Sequence, residues 1–434
     1  MDLSLVIPCY NEAPHLASSV DALLEVLAGT RLEFELVFVD DVSRDETRAV
    51  LAAICATRPH CRALLHERNR GRGGAFKTGY RATTGVVTGF LDIDLEVAAH
   101  YVPALVARIR AHGVDVATGH RHYLMSQTHA VHRIVLSRAY RLLLRLSLGC
   151  GVRDTETGCK FFRRETASAV VLGSDSDGWF FDTEVMVRAA LADLVIEEQP
   201  VLFLRRWDKQ STVRLWHDIR AYLVELHRFR RKIGMSYLGK SPIYWTGRGY
   251  DAVMRLLYGR ELDATCADVA ARVPAGAGVV DLCCGTARLW RAHLAPRATP
   301  YLGLDFNGHL LLAARARGAK VKHFDARKDE LPAGDCLTLV SSLYHFRRDA
   351  PALLRRMRAA ARTAVIVSEP VANHSSGRGP LAALAAALSN PGAGEYRERF
   401  TLAEFEALAR AEGALEFVHT PGRRNALAVF PPAK

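Results

Sequence analysis

Val86-Val87-Thr88-Gly89-Phe90-Leu91-Asp92-Ile93-Asp94-Leu95-Glu96 is the stretch on which the fold turns. Its first six residues predict a buried strand. That strand stops at three carboxylates in alternating positions. On an extended chain, alternation puts Asp92, Asp94 and Glu96 on one side. Oxygen ligands of this kind suit a hard divalent cation, Mg2+ or Mn2+. Open α/β sheets bind ligands at the carboxyl ends of their strands. A cation there holds a diphosphate and neutralises its charge as a leaving group. The same residues also read as a solvated acidic turn, because D-x-D is a short pattern.

The upstream residues favour the metal reading. Ser4-Leu5-Val6-Ile7-Pro8 is a short apolar strand, followed by the turn Cys9-Tyr10-Asn11-Glu12. From Pro14 onward, Leu16, Val20, Leu23, Leu24 and Leu27 fall at helical spacing. Phe34–Val39 predicts a second strand, and it ends in Asp40-Asp41-Val42-Ser43-Arg44-Asp45-Glu46-Thr47. Strand, helix, strand, helix is the signature of a parallel sheet with a ligand crevice at its C-terminal edge. Next comes Asn69-Arg70-Gly71-Arg72-Gly73-Gly74-Ala75-Phe76-Lys77-Thr78-Gly79. Its glycines allow close approach of backbone to a ligand, and Arg72 and Lys77 offer charge to phosphate.

LVIPCYNE, VFVDDVSRDET, NRGRGGAFKTGYRATTG and FLDIDLE, in this order, resemble glycosyltransferase family 2 with a GT-A fold. Within that family the resemblance is nearest to dolichyl- or polyprenyl-phosphate mannosyl- and glucosyltransferases. It continues through DTETGCKFFRRE at 154–165 and GWFFDTEV at 178–185, so it spans roughly residues 1–230. The resemblance implies that Pro8, Tyr10, Asn11 and Glu12 line a nucleotide pocket and that Asp41 contacts the base. It implies that Asp92, Asp94 and Glu96 hold metal and donor diphosphate. Arg121 and Arg133 would bind donor and acceptor phosphates, with Lys160 and Arg163 at the same anionic centre. Val42 stands where the family usually has Gly, Arg72 where it often has Lys, Ile93 where it often has Ala, and Glu96 where Gln is common.

The acceptor class follows from proton chemistry. A hydroxyl acceptor needs a general base. A phosphate monoester, with a second pKa of about 6, needs cationic positioning instead. Arg121, Arg133, Lys160, Arg163, Arg164, Arg205 and Arg206 all follow the D-x-D and can supply it. The rival reading is a hydroxyl acceptor, with Asp182 or Glu184 as base. No apolar run is long enough to span a bilayer, and no leader-like segment is present. The expectation is therefore a cytoplasmic protein, peripheral on the cytoplasmic membrane face. HRIVLSRAYRLLLRLSLG at 132–149 and RLWHDIRAYLVELHRFRRKIG at 214–234 are basic and amphipathic. Such helices lie on anionic leaflets, or pack on a core with a charged outer face.

A second α/β pattern follows a segment rich in Gly and Tyr. Val279–Leu282 predicts a strand ending in Cys283-Cys284-Gly285-Thr286-Ala287. Pro300–Asp305, Lys320–Phe324, Cys336–Ser342 and Ala364–Glu369 predict four more strands. This order resembles a class I S-adenosylmethionine-dependent methyltransferase over roughly 245–434. The resemblance assigns Asp281, Gly285 and Thr286 to the cofactor's methionine side, Asp305 to its ribose, and Asp325 and Ala326 to its adenine. Glycines usually stand where Cys283 and Ala287 do. His345 is the candidate base, or a structural histidine. An NAD-type dehydrogenase and a non-catalytic binding module are the alternatives for this half.

Two domains and a linker are therefore expected: 1–233, a family 2 glycosyltransferase; 234–250, a linker or entry segment; and 251–434, a Rossmann-like methyltransferase. Up to residue 233 there are 31 basic and 28 acidic side chains, and beyond it 27 and 18. Most of the net charge of +12 thus lies in the second half, consistent with an anionic substrate or surface. No aromatic-basic RNA motif accompanies it, so no nucleic-acid partner is expected. The nine scattered cysteines lack metal-site spacing. The combined expectation is a bifunctional enzyme. It uses a nucleotide-sugar, Mg2+ or Mn2+, a polyprenyl-phosphate acceptor and S-adenosylmethionine.

Overall fold

A computed structural model of the chain describes all residues except 124–143, 145–146, 150, 206–214, 373–386, 393, 396–397 and 434, and for 215–218 the backbone alone. Arg133, Arg206 and most of the basic stretch 132–149 lie outside the described residues. The chain divides into two compact units, Met1–Phe229 and Arg230–Lys434. Among the described residues, no helix is long and apolar enough to cross a membrane.

The first unit runs β1 (Leu3–Cys9), α1 (Ala13–Ala28), β2 (Phe34–Asp40), α2 (Thr47–Thr57), β3 (Cys61–Leu65), α3 (Gly71–Ala82) and β4 (Val87–Leu91). It continues with α4 (Val102–Ala111), β5 (Val116–Tyr123), β6 (Cys159–Arg163), α5 (Arg164–Leu172), α6 (Phe181–Leu191), β7 (Ile196–Phe203) and α7 (Leu215–Lys232). The strands form one sheet in the order β3-β2-β1-β4-β6-β5-β7. β1 pairs in parallel with both β2 and β4, whereas β6 runs antiparallel to its neighbours β4 and β5. Successive strand residues feed opposite cores. Leu3, Leu5 and Ile7 join the layer under α1, α2 and α4. Val6, between them, joins the layer under α3, α5 and α6. Both faces are dry, which is why these strands read as continuous apolar runs.

The sheet order reverses at β1. The chain leaves β1 through α1 to β2 on one side, and β4 lies on the other. That switch point opens a crevice at the carboxyl ends of β1 and β4. The turns at Tyr10 and Asp92 therefore face the same opening.

The second unit runs α8 (Gly247–Ala271), β8 (Val279–Leu282), β9 (Tyr301–Asp305), α9 (Gly308–Arg315), β10 (Val321–His323), β11 (Gly334–Val340) and α10 (Ala350–Ala360). It ends with β12 (Ala361–Pro370), α11 (Leu402–Ala411), β13 (Glu416–His419) and β14 (Asn425–Phe430). The sheet order is β10-β9-β8-β11-β12-β14-β13. Five strands are parallel in the doubly wound manner, and β14 inserts antiparallel beside β12. The switch point here lies between β8 and β11.

The segment 234–250, expected as a linker, is part of this second unit. Ile233 and Met235 are buried, and the Gly308 N–H donates to the Ile233 carbonyl at 3.0 Å. A Cβ at Gly308 would stand 2.6 Å from Met235 Cε, so this segment packs closely on the start of α9.

Gly79 shows how tightly the helices seat on the first sheet. A Cβ there would lie 2.3 Å from Val6 Cγ1 and 3.1 Å from Val39 Cγ2. Overpacking of this kind costs about 1–3 kcal/mol, and the helix propensity of alanine returns only about 1 kcal/mol. Gly79→Ala is expected to lower the urea midpoint of the first unit, with the slope of the transition unchanged.

Candidate active site

Three loops build the rim of the first crevice. After β1, the Asn11 side chain accepts from the Arg44 N–H at 2.8 Å. The Asn11 and Glu12 N–H groups donate to Ser43 Oγ and Thr47 Oγ1. The β1–α1 and β2–α2 loops are thus joined, and Pro8, Tyr10, Asn11 and Glu12 stand together at the strand ends. Asn11 and Val42 both take left-handed backbone, with φ of 57° and 68°. Glycine serves such a conformation without strain, which gives a physical reason for the family's glycine at position 42.

Asp41 is buried beneath this rim. Its carboxylate accepts from the Arg70 and Gly71 N–H groups at 2.7 Å each and lies 2.7 Å from His66 Nδ1. It therefore caps the start of α3, whose first N–H groups have no helical partner. The glycine-rich stretch is the first turn of α3, and its close approach is to protein. A Cβ at Gly71 would meet the Asp177 carbonyl oxygen at 2.6 Å, and one at Gly73 would meet Phe181 Cβ at 2.5 Å.

The expectation for Lys77 is corrected by its surroundings. Its ammonium is buried and donates to the Ser174 and Ser176 carbonyls at 3.1 and 3.0 Å. It also pairs with Asp177 at 2.6 Å. An ammonium has three donors, so Lys77 pins α3 to the 174–177 loop and offers nothing to a phosphate.

Arg72 points the other way. Its guanidinium grips both oxygens of Asp92, NH2 at 3.0 Å from Oδ2 and NH1 on Oδ1. Its Nε donates to Asp182 Oδ2 at 2.9 Å. The group lies 4.4 Å from the Phe90 ring centroid and 5.4 Å from that of Trp179. Lys160, fully buried, donates to Asp182 Oδ1 at 2.6 Å. Sequence reasoning missed Trp179 and Gly158. A Cβ at Gly158 would fall 1.7 Å from Asp92 Oδ2, so only glycine lets Asp92 reach Arg72.

The alternation expected for Asp92, Asp94 and Glu96 does not survive. The strand ends at Leu91, and a turn closed by the Leu95 N–H on the Asp92 carbonyl (3.2 Å) follows. Leu95 is left-handed, with φ of 52°. Among the described residues, no three His, Cys, Asp or Glu side chains gather as a metal cage.

Arg121 lies on β5 and is held by Asp154, with Nε at 2.7 Å and NH2 at 2.9 Å. Burial acts to raise the Asp154 pKa, but the Arg121 hydrogen bonds and charge outweigh it and leave it below the ordinary carboxylate value. Arg163 is corrected by register. β6 pairs Cys159 with Leu91 at the crevice end but Arg163 with Val87 at the opposite end. There it donates to the Ile109 and Val114 carbonyls. It is an anchor for the end of α4, remote from any acceptor.

In the second unit a cavity of about 190 Å3 opens at the switch point. Asp281, Gly285, Thr286 and Asp305 line it, as do Arg327, Tyr344 and His345. Asp305 accepts from the Gly285 N–H at 2.8 Å and the Asn307 N–H at 2.7 Å. Thr286 donates to Asp251 at 2.5 Å. Cys283 and Ala287 have φ of 54° and 56°, so the glycines usual at these two positions have a conformational cause. Asp325 and Ala326 are not among the lining residues. Ala326 is buried in the apolar core, and Asp325 accepts from the Arg327 N–H within its own turn. Arg327 reaches the cavity in their place. Burial lowers the His345 pKa to about 3, and its Nδ1 lies 2.7 Å from the Glu395 carbonyl, which favours the structural-histidine alternative. Glu369, raised to about 8 by burial, caps the Leu343 and Tyr344 N–H groups.

The sequence profile of glycosyl transferase family 2 matches residues 4–171. Glycosyltransferase AglD of Haloferax volcanii is 33% identical over 205 residues, covering 46% of this chain and 33% of that protein. A dolichyl-phosphate beta-glucosyltransferase of Dictyostelium discoideum is 26% identical, covering 46% of this chain and 65% of that protein. One of Drosophila melanogaster is 31% identical over 229 residues, covering 48% of this chain and 67% of that protein. The chain belongs to glycosyl transferase family 2. It spans less than two thirds of the length of the first two relatives. A glucosyl-3-phosphoglycerate synthase of Mycobacterium tuberculosis, with Mn2+ and UDP bound, is 22% identical with a TM-score of 0.41, over 55% of this chain and 82% of that one. The family 2 match lies wholly within the first unit.

Asp281 gives a pH test of the second unit. Burial raises its carboxyl to about 7, against the hydroxyls of Thr338 and Tyr301 that donate to it. Its folded pKa exceeds its unfolded one, so the folded state binds the extra proton between roughly pH 4 and 7. Stability therefore falls as pH rises through that window. Urea titrations at pH 5 and 7.5 are expected to show the loss, and Asp281→Asn to reduce it, with Glu369 and Asp305 keeping the remainder.

Proposed function

We propose that the first unit transfers a glycosyl group, with inversion, from a nucleotide-sugar to a polyprenyl phosphate at a membrane surface. The family supports the reaction class, and the names of the insect and Dictyostelium relatives support the acceptor. The observation that carries the acceptor class is the state of Asp182. It is buried, and Lys160 and Arg72 occupy one oxygen each. With both oxygens engaged, Asp182 is not placed to receive a proton from a hydroxyl acceptor. A phosphate acceptor, already ionised, needs no base.

Asp92, Asp94 and Glu96, which follow β4, are oxygen donors, which fits Mg2+ or Mn2+ held by one or two carboxylates and the donor phosphates. Asp92 and Asp94 are the residues that would hold it. Bound there, the cation neutralises charge on the diphosphate leaving group. Pro8, Tyr10, Asn11 and Glu12 border the nucleotide's place on the rim. Arg121, fixed in orientation by Asp154, presents its remaining terminal nitrogen to an anion. On α7, Ile219, Leu223 and Val224 are exposed beside Arg220, Arg228 and Arg231, a pattern that suits an anionic leaflet.

We propose that the second unit binds S-adenosylmethionine and methylates a related product. The cavity supports this by bringing Asp281, Gly285, Thr286 and Asp305 to one switch point. The dinucleotide-binding order 3-2-1-4-5-6 is interrupted here by antiparallel β14, which argues against the dehydrogenase alternative. A sulfonium donor needs positioning more than a base, in keeping with the weak basicity of His345.

The test is a single incubation. Full-length protein, Mn2+ or Mg2+, polyprenyl phosphate and a panel of UDP- and GDP-sugars are followed by mass spectrometry. A glycolipid is expected, reduced about 100-fold by Asp94→Asn. Transfer only to hydroxyl acceptors would overturn the reading. Calorimetry with S-adenosylmethionine is expected to show binding that Asp305→Asn weakens about tenfold. Binding without any methylated glycolipid would favour a binding module.

A further inference from the structure

We infer that Arg72 is a resident counter-cation that shares Asp92 with the divalent cation of the donor complex. The inference rests on the donor-and-metal reading proposed above. Both Asp92 oxygens accept from the one guanidinium, whose third bond goes to Asp182. Gly158 leaves the space that makes this grip possible. Phe90 packs against the guanidinium from one ring and Trp179, half exposed, from another.

A dication ligated by Asp92 needs the same lone pairs. It also repels a guanidinium on the same carboxylate. Without donor, the fixed positive charge of Arg72 satisfies Asp92, and the metal gains little by entering. The donor brings a diphosphate, and guanidinium–phosphate pairing is as well matched as guanidinium–carboxylate. Arg72 then exchanges Asp92 for a diphosphate oxygen, and the released carboxylate takes the cation. Metal and nucleotide bind cooperatively because one side chain must leave the site of the first to meet the second. Coupling of this kind is reciprocal.

Mn2+ binding to the full-length protein, measured by electron paramagnetic resonance with and without UDP or GDP, tests this apart from activity. The wild type is expected to bind Mn2+ weakly alone and at least about tenfold more tightly with nucleotide. Arg72→Gln removes the resident charge. It is expected to bind Mn2+ alone at least about tenfold more tightly than wild type, with the nucleotide effect reduced to the part that direct phosphate ligation supplies. Arg72→Lys keeps the charge but cannot span Asp92 and Asp182 with a planar fork, and is expected to fall between. It also serves if the Gln variant fails to fold by circular dichroism. Folded variants that bind Mn2+ no more tightly than wild type would overturn the inference. Absence of Mn2+ binding in every form, with either nucleotide, would instead overturn the cation reading on which it rests.

Discussion

The first unit depends on one ion network, Asp92–Arg72–Asp182–Lys160, that joins four elements. Arg72 comes from α3, Asp92 from the end of β4, Asp182 from α6 and Lys160 from β6. Two acids and two bases make the network neutral. Neutrality matters because an unpaired charge buried at this depth costs several kcal/mol. Removing any one member leaves its partner exposed to that cost. The crevice edge is therefore positioned by charge, while the apolar layers on either side of the sheet only set the distance between its walls. Asp182 is the pivot. Each of its oxygens is held by a different cation, so neither is free to meet a substrate proton.

Sequence made the strands legible because both faces of each sheet are buried. Val86–Leu91, Phe34–Val39 and Val279–Leu282 are apolar runs that can be little else, and the acids at their ends mark the crevice edges. What misled was side-chain direction. Arg72 and Lys77 look like one basic cluster, but five residues on a helix turn through about 140°. One faces the crevice and the other the 174–177 loop. Lys160 and Arg163, three apart on a strand, cannot share a face. Antiparallel pairing then sends Arg163 to the far edge. Asp92, Asp94 and Glu96 failed because the extended geometry assumed for them ends at Leu91. The partners that decide these cases, Asp154, Asp177 and Asp182, are remote in sequence, so no local pattern points to them.

The second unit solves the same problem with neutral donors. Asp305 at the end of β9 is held by two backbone N–H groups, and Asp281 by two hydroxyls. Among the described residues, neither takes a hydrogen bond from a cationic side chain. Burial therefore raises both carboxyls above their ordinary range, whereas Asp154, with Arg121 against it, falls below. The two crevices thus hold their carboxylates with different partners, cationic side chains in the first and neutral donors in the second.

Backbone strain falls at the same edges. Asn11, Val42 and Leu95 follow β1, β2 and β4, and Cys283 and Ser341 follow β8 and β11, all with positive φ and none of them glycine. Each such residue costs about 1–2 kcal/mol. Strain of that kind persists only where surrounding contacts over-determine the conformation. Here those contacts are visible. Asn11 is tied to Ser43 and Arg44, and Leu95 to Asp92. The left-handed turns aim the chain away from the sheet plane just where the strands stop. A strand end without the turn would continue its pleat and close the crevice. Most of that cost is carried at the carboxyl edges of both sheets; Asp193 and Ala298, ahead of β7 and β9, are left-handed elsewhere. Local geometry thus points to the same two edges as the side-chain chemistry.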